Sequence, residues 1–337
     1  MLLRAAGFVV VVAALGAGLG ACSAGRAPTP QLHENGVRGP SDDDDVPGAA
    51  GHPGPLGDVA GSADENGGTF SALYFAVVGD TRPPGFDDTA HYPTAAIEQI
   101  YQEIAALKPA PQFVVSTGDF MFASNGSGEA DKQMSLYMKA AKQWQGPLFA
   151  AMGNHECATI TSTNCTSPSK NMAAFEAALV KPLHKDKPWY VLHFRAVDDP
   201  GLTVKIIVTA CNAWDREQRA FFDKSIEEAS TYTVVVRHEP HGELMAPCIP
   251  DQDAAIDRHP IDLLLAGHIH TFAHDHSEVI VGNGGAPPTS SQPYGFATVE
   301  LVPGRGFRVM QYDAALDAPI DGFLVRQALF TTAITAR

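Results

Sequence analysis

Cysteine, positive charge and long apolar runs are all scarce in this chain of 337 residues. Lys and Arg together number 23 against 38 Asp and Glu, leaving a formal charge of -15. That balance excludes a tight, sequence-independent grip on nucleic acid, which needs clustered cations to displace phosphate counterions. Five cysteines with no C-x2-C pair disfavour a thiolate metal site. The most apolar stretch, residues 5–21, is too short and too rich in glycine to make a comfortable membrane span. No internal repeat is visible. What remains is a chain that is 45% hydrophobic and long enough to bury a large core, in one big domain or two modest ones.

The first segment reads as an export signal, with Arg4 ahead of the apolar run. It ends in Leu19-Gly20-Ala21-Cys22, which resembles the lipobox of bacterial lipoproteins. That resemblance implies cleavage after residue 21, acylation of Cys22, and a protein held by lipid on a bacterial membrane, periplasmic or at the cell surface. Residues 22–68 are rich in Pro, Gly and Asp, including "SDDDDVPGAAGHPGPLGD", and lack any hydrophobic period. They are expected to form a disordered tether, and residues 69–337 one folded domain. Cys157, Cys165, Cys211 and Cys248 then remain, an even number in an exported chain. The favoured pairing is Cys157 with Cys165 and Cys211 with Cys248; four free thiols is the alternative if export is wrong.

Short apolar runs alternate with helical patterns from about Phe70 onward. Strands are expected at 73–78, 112–116, 148–152, 189–194, 203–209, 232–236, 261–265, 278–281, 297–301 and 307–312. Ile97, Ile100, Tyr101, Ile104 and Leu107 trace one helical face, and Phe221, Phe222 and Ile226 another. The alternation predicts an α/β layered sandwich with largely parallel strands and an antiparallel C-terminal edge. In such sheets ligands gather at the carboxyl ends of the strands.

Polar motifs recur at those ends. "YFAVVGDTR" delivers Asp80, "QFVVSTGDF" Asp119, "LFAAMGNHE" Asn154, His155 and Glu156, "TVVVRHEPH" His238, and "LLLAGHIH" His268 and His270. A Gly-Asp after one strand is usually a turn or a cap. Carboxylate, amide oxygen and imidazole arriving together suit Fe, Mn or Zn better than Ca or Mg. Two such ions roughly 3.5–4 Å apart would clamp the attacking and leaving oxygens of an in-line displacement, so hydrolysis of a phosphate ester is the matching reaction.

In that order the motifs resemble the calcineurin-like metallophosphoesterases, purple acid phosphatases among them. The resemblance implies the family's αββα fold, a two-sheet β-sandwich of mixed sheets flanked by helices. It also implies two transition-metal ions and attack by a metal-bridging hydroxide. Asp119 takes the place of the bridging ligand, Asp80 and His270 of ligands to the first ion, and Asn154, His238 and His268 of ligands to the second. His155 takes the place of the residue that contacts the phosphoryl group and protonates the leaving oxygen. A phosphorylated small molecule, monoester rather than diester, is the expected substrate.

Two positions depart from the pattern. Arg82 stands where many members have a metal-binding His, and Phe122 where purple acid phosphatases have a Tyr. Arg cannot lose its proton to become a ligand. It either binds a substrate phosphate or pairs with a carboxylate. With Phe122 in place, no purple charge-transfer colour is expected. These departures keep a second reading open, a non-catalytic or mononuclear surface-anchored binding protein on the same fold. His241, His274 and His276 are candidates for the cleft or plain loop residues. Glu156 either orients a neighbour in the site or forms a loop salt bridge. The glycine-rich loop at 281–288 resembles the one that approaches the cleft in this family.

Overall fold

The computed structural model describes residues 61–157, 165, 169–243, 246–314 and 318–325. The expected signal segment, Cys22 and the expected tether up to residue 60 lie outside them. Among the described residues fourteen strands form two mixed sheets, as the motif order implied. They are β1 (Gly61–Asp64), β2 (Gly67–Phe70), β3 (Tyr74–Val78), β4 (Val114–Ser116), β5 (Leu148–Ala150), β6 (Tyr190–Ala196), β7 (Thr203–Val208), β8 (Tyr232–Val236), β9 (Leu263–Ala266), β10 (Phe272–Asp275), β11 (Glu278–Val281), β12 (Gly295–Val302), β13 (Gly306–Asp313) and β14 (Ala318–Val325). One sheet has the order β1-β2-β6-β7-β8-β9-β11-β10, the other β14-β13-β12-β3-β4-β5.

Alternation along the strands builds the layers. In β3, Phe75 and Val77 face the other sheet, where with Phe113 and Val115 from the neighbouring β4 they share a cluster with Leu192, Val208, Val236 and Leu265 of the facing strands. Ala76 and Val78 point the opposite way, onto Ile97, Ile100, Tyr101 and Ile104 of α1 (Thr94–Ala106) and Met134 and Tyr137 of α2 (Glu129–Ala141). Two short helices, α3 (Asn154–Cys157) and α4 (Lys170–Phe175), follow β5 and add Met172 and Phe175 to this layer. Beneath the larger sheet, Ile207, Val235 and Leu264 pack on Phe222 and Ile226 of α5 (Arg216–Glu227) and Ile249 and Ile256 of α6 (Ile249–Arg258). Strands with both faces buried read as continuous apolar runs, which is why β3, β8 and β9 stood out in the sequence.

Two features correct the expectations from sequence. The described residues start at Gly61, where β1 and β2 form a hairpin, β2 runs parallel to β6, and Phe70 is buried, so residues 61–68 of the expected tether pair with the fold. β10 and β14 were not foreseen. Both expected cysteine pairs are disulfides, with Cα atoms 5.4 Å apart at Cys157–Cys165 and 4.9 Å at Cys211–Cys248. Among the described residues no helix is long and apolar enough to cross a membrane.

Candidate metal centre

β3, β4 and β5 are parallel neighbours, and so are β8 and β9 in the facing sheet. Their carboxyl ends therefore open on one rim. Asp80, Asp119 and His268 each follow a glycine there and adopt a left-handed backbone, with φ of 56°, 59° and 67°. That conformation costs an L-residue roughly 1–2 kcal/mol, and it turns the chain back as soon as the side chain has been presented. The glycines have a second use. A Cβ on Gly267 would lie 2.5 Å from Asp80 Oδ2, and one on Gly153 would overlap the Asp119 carboxylate. Only a missing side chain lets those carboxylates sit against the neighbouring loop.

Asp119 is the hub. Its Oδ1 lies 3.3 Å from His238 Nε2, and its Oδ2 lies 3.6 Å from both His155 Nε2 and Arg82 Nε. On the Oδ1 side, Asn154 Oδ1 is 3.1 Å from His238 Nε2 and 3.1 Å from His268 Nδ1. His238 Nδ1 sits 2.8 Å from the carbonyl of Thr117, to which it must donate. In the neutral ring Nε2 is then a lone pair aimed at two oxygens that are themselves acceptors. Acceptors converge in this way only around positive charge. Burial opposes a charge on His238, yet Asp119 and Asp80 outweigh it and hold the group well above the usual imidazole range. Burial also opposes charge on Asp119, but His238, His155 and Arg82 keep its carboxyl well below the usual range. His268 is pushed down to about 3 by burial and by His238, so it stays a neutral donor. Asp119, Asn154, His238 and His268 thus fit one transition-metal ion.

Asp80, Asp119 and His270 bring ligand atoms within 4.8 Å of one another. His270 Nδ1 lies 2.9 Å from the Pro287 carbonyl, which leaves Nε2 as a lone pair 3.6 Å from Asp80 Oδ1. That buried oxygen has no hydrogen-bond partner, while Asp80 Oδ2 accepts from His268 N at 3.0 Å. Burial raises the Asp80 pKa well above the carboxylate range. Arg82 lies in this half of the site. Its Nη2 is 3.3 Å from His270 Nε2, its Nη1 donates to the Pro83 carbonyl at 3.1 Å, and its guanidinium carbon stands 4.6 Å over the Phe122 ring. The same ring packs edge-on to His155, with centroids 4.3 Å apart.

Glu156 pairs with no cation. Its Oε2 accepts from Asp119 N and Gly153 N at 3.0 and 2.7 Å, and its Oε1 from Phe120 N and Met121 N at 2.8 and 3.3 Å. The buried carboxylate clasps the loop after β4 to the loop after β5, and so places Asp119 and Asn154 through the backbone around them. Burial and the charge of Asp119 push it up to about 7 against the pull of those N–H groups. The glycine-rich loop does approach the site: Gly284 N donates to Gly79 O and Ala286 N to Asp80 O, at 2.9 and 2.7 Å. The remaining histidines make contacts elsewhere. His241 faces Asp253, His274 stacks on Phe323 at 3.7 Å, and His276 pairs with Asp275. Sequence reasoning passed over Glu239, a buried carboxyl beside His238 that burial pushes up to about 7.

Residues 73–272 match the family model of the calcineurin-like phosphoesterases. No curated protein matches the sequence. Among solved structures, GAP50, described as the anchor in the inner membrane complex of Plasmodium, is similar at 14% identity and a TM-score of 0.54, over 76% of this chain and 89% of that one. Purple acid phosphatase PPD1 from yellow lupin seeds is similar at 16% identity and a TM-score of 0.55, over 77% of this chain and 56% of that one. Identities so low speak for the fold alone. The family match spans well over half the chain and contains every strand-end motif from Asp80 to His270, and the chain belongs to the calcineurin-like phosphoesterases.

Proposed function

We propose that this phosphoesterase is a metal-dependent hydrolase of phosphomonoesters, exported and held to a membrane by lipid at Cys22. The observation that carries the catalytic reading is the convergence of Asp119, Asn154, His238 and His268 on one point, with the Thr117 carbonyl fixing the proton of His238 on Nδ1 and turning Nε2 to the site. Asp119, Asn154, His238 and His268 would hold a transition-metal ion there, which would supply positive charge for the phosphoryl oxygens and acidify a bound water. The chain's own residues do the rest. His238 is held by the Thr117 carbonyl just after β4, and Asn154 by its contacts with His238 and His268, so little reorganisation is needed as charge develops. His155, whose Nε2 faces Asp119, is placed to hold a proton for the departing alkoxide. Phe122 packs against that ring and limits its rotation.

Two disulfides support the export reading, since such bonds persist in oxidising compartments. The test is hydrolysis of p-nitrophenyl phosphate and bis(p-nitrophenyl) phosphate by protein stripped with chelator and then reloaded with Mn, Zn or Fe. Activity on the monoester that vanishes on stripping, returns on reloading and is lost in His155→Ala is the expected result. A folded, metal-loaded protein that turns over neither ester would instead be a binding protein on this fold.

A further inference from the structure

The two departures from the family pattern, Arg82 and Phe122, meet in one arrangement. The guanidinium of Arg82 lies between the ligand atoms that a first ion would need. Its Nη2 is 3.3 Å from the His270 Nε2 lone pair, and its Nε is 3.6 Å from Asp119 Oδ2. The side chain is only 13% exposed, and the Phe122 ring supports the guanidinium from one face, where a cation over an aromatic ring is attracted. Phe86 packs edge-on against Phe122 at 5.4 Å and backs that support. The Pro83 carbonyl takes a further N–H at 3.1 Å.

This set of contacts leaves little for a metal. His270 has one lone pair facing the site, because its other nitrogen must donate to Pro287. A guanidinium N–H occupies it. A guanidinium is always charged and offers only donors, so it excludes an ion by repulsion and places a positive charge beside Asp119. The contrast with the other half of the centre is direct: Asn154, His238 and His268 converge with no lysine or arginine side chain among them.

We propose that Arg82 occupies the first-ion position as a built-in cation, so that this chain binds a single metal ion, at Asp119, Asn154, His238 and His268. The inference rests on the metal-dependent reading above but is tested separately from it, by counting ions rather than by turnover. The full chain, Arg82→His and Arg82→Ala are each saturated with Mn(II), freed of loose metal and measured for Mn per chain by elemental analysis. Mn(II) electron paramagnetic resonance distinguishes an isolated ion from a coupled pair, and circular dichroism confirms that the variants fold. The expected result is one ion per chain with an isolated-ion spectrum in the wild type, and two ions with a coupled spectrum in Arg82→His. Arg82→Ala, which removes the guanidinium without adding a ligand, should take up the second ion more weakly.

Two ions in the wild type would overturn the inference and leave the metal-dependent reading intact. One ion in all three folded proteins would also overturn it, because something other than the guanidinium would then close the first site. No tightly held ion in any of them would remove the metal reading itself, and the inference with it.

Discussion

Glu156→Gln is the sharpest probe of how the site is held. The wild-type carboxylate accepts four backbone N–H groups, two on each oxygen, from Asp119, Gly153, Phe120 and Met121. An amide has one oxygen. Whichever way the substituted side chain turns, its NH2 faces two donors that no longer have an acceptor. Stranding a buried donor costs about 1–3 kcal/mol, so two cost about 2–6 kcal/mol. Part of this is returned, because a neutral amide is spared the burial that pushes Glu156 up to about 7. At about 1.4 kcal/mol per unit of pKa, the rise from 4.5 to about 7 makes that relief about 3 kcal/mol. The net expectation lies between a gain of about 1 kcal/mol and a loss of about 3 kcal/mol in urea unfolding, read as a shifted midpoint at unchanged slope, so metal affinity is the decisive readout. Metal affinity should fall about 10–100-fold, since the backbone of Asp119 and Gly153 is no longer pinned. A variant as stable as the wild type, with unchanged metal affinity, would refute the clasp.

Gly153→Ala drives a Cβ into the Asp119 carboxylate, so it should abolish tight metal binding in a calorimetric titration while the circular dichroism spectrum stays that of a folded chain. Removing both Cys211 and Cys248 as an alanine pair releases a bridge spanning 37 residues; the loop-entropy relation gives a loss of about 4 kcal/mol, measurable by thermal or urea unfolding. His268 holds φ at 67°, so in metal-stripped protein His268→Gly should be more stable than His268→Ala by about 1 kcal/mol, the left-handed cost less the extra entropy of glycine in the unfolded chain. An Ala variant as stable as the Gly variant would show that this backbone is not strained.

Much of this was legible because burial on both faces makes a strand plain. β3, β4, β8 and β9 are continuous apolar runs, and each ends in a glycine or a polar ligand, so strand and site announced each other. The edges were harder. β10 reads "FAHD", with two exposed residues of four, and is a strand only because it pairs with β11. β1 and β2 are glycine-rich and polar, and look like linker until β6 supplies a partner for β2 and a pocket for Phe70. Lys205 shows the same limit in the core. A lysine in mid-strand reads as solvent-facing, yet it is 1% exposed, and its ammonium caps the last carbonyls of α5, including Ser225 O at 2.6 Å. In the site, the residues that the strand ends bring together followed from the motifs, but Glu156 and Arg82 each stood between two readings. Which one held depended on what lay across the loop: backbone amides after β4 for Glu156, the His270 lone pair and the Phe122 ring for Arg82.

The left-handed ligands also say where the fold's stability is spent. Asp80, Asp119 and His268 together carry a backbone cost of roughly 3–6 kcal/mol, a large fraction of the roughly 5–15 kcal/mol by which a domain is ordinarily stable. The rim adds buried carboxylates at Asp80, Asp119, Glu156 and Glu239. Little of this serves packing, since the apolar clusters lie between and beneath the sheets and not at the rim. It persists because each strained residue is held by hydrogen bonds that a relaxed backbone would forfeit: Asp80 N to Gly118 O, Asp119 N to Glu156, and His268 N to Asp80. Every one of those contacts joins two ligand loops to each other. The strain at one loop is thus sustained by its neighbours, and a substitution that frees one of them should loosen the others rather than act alone.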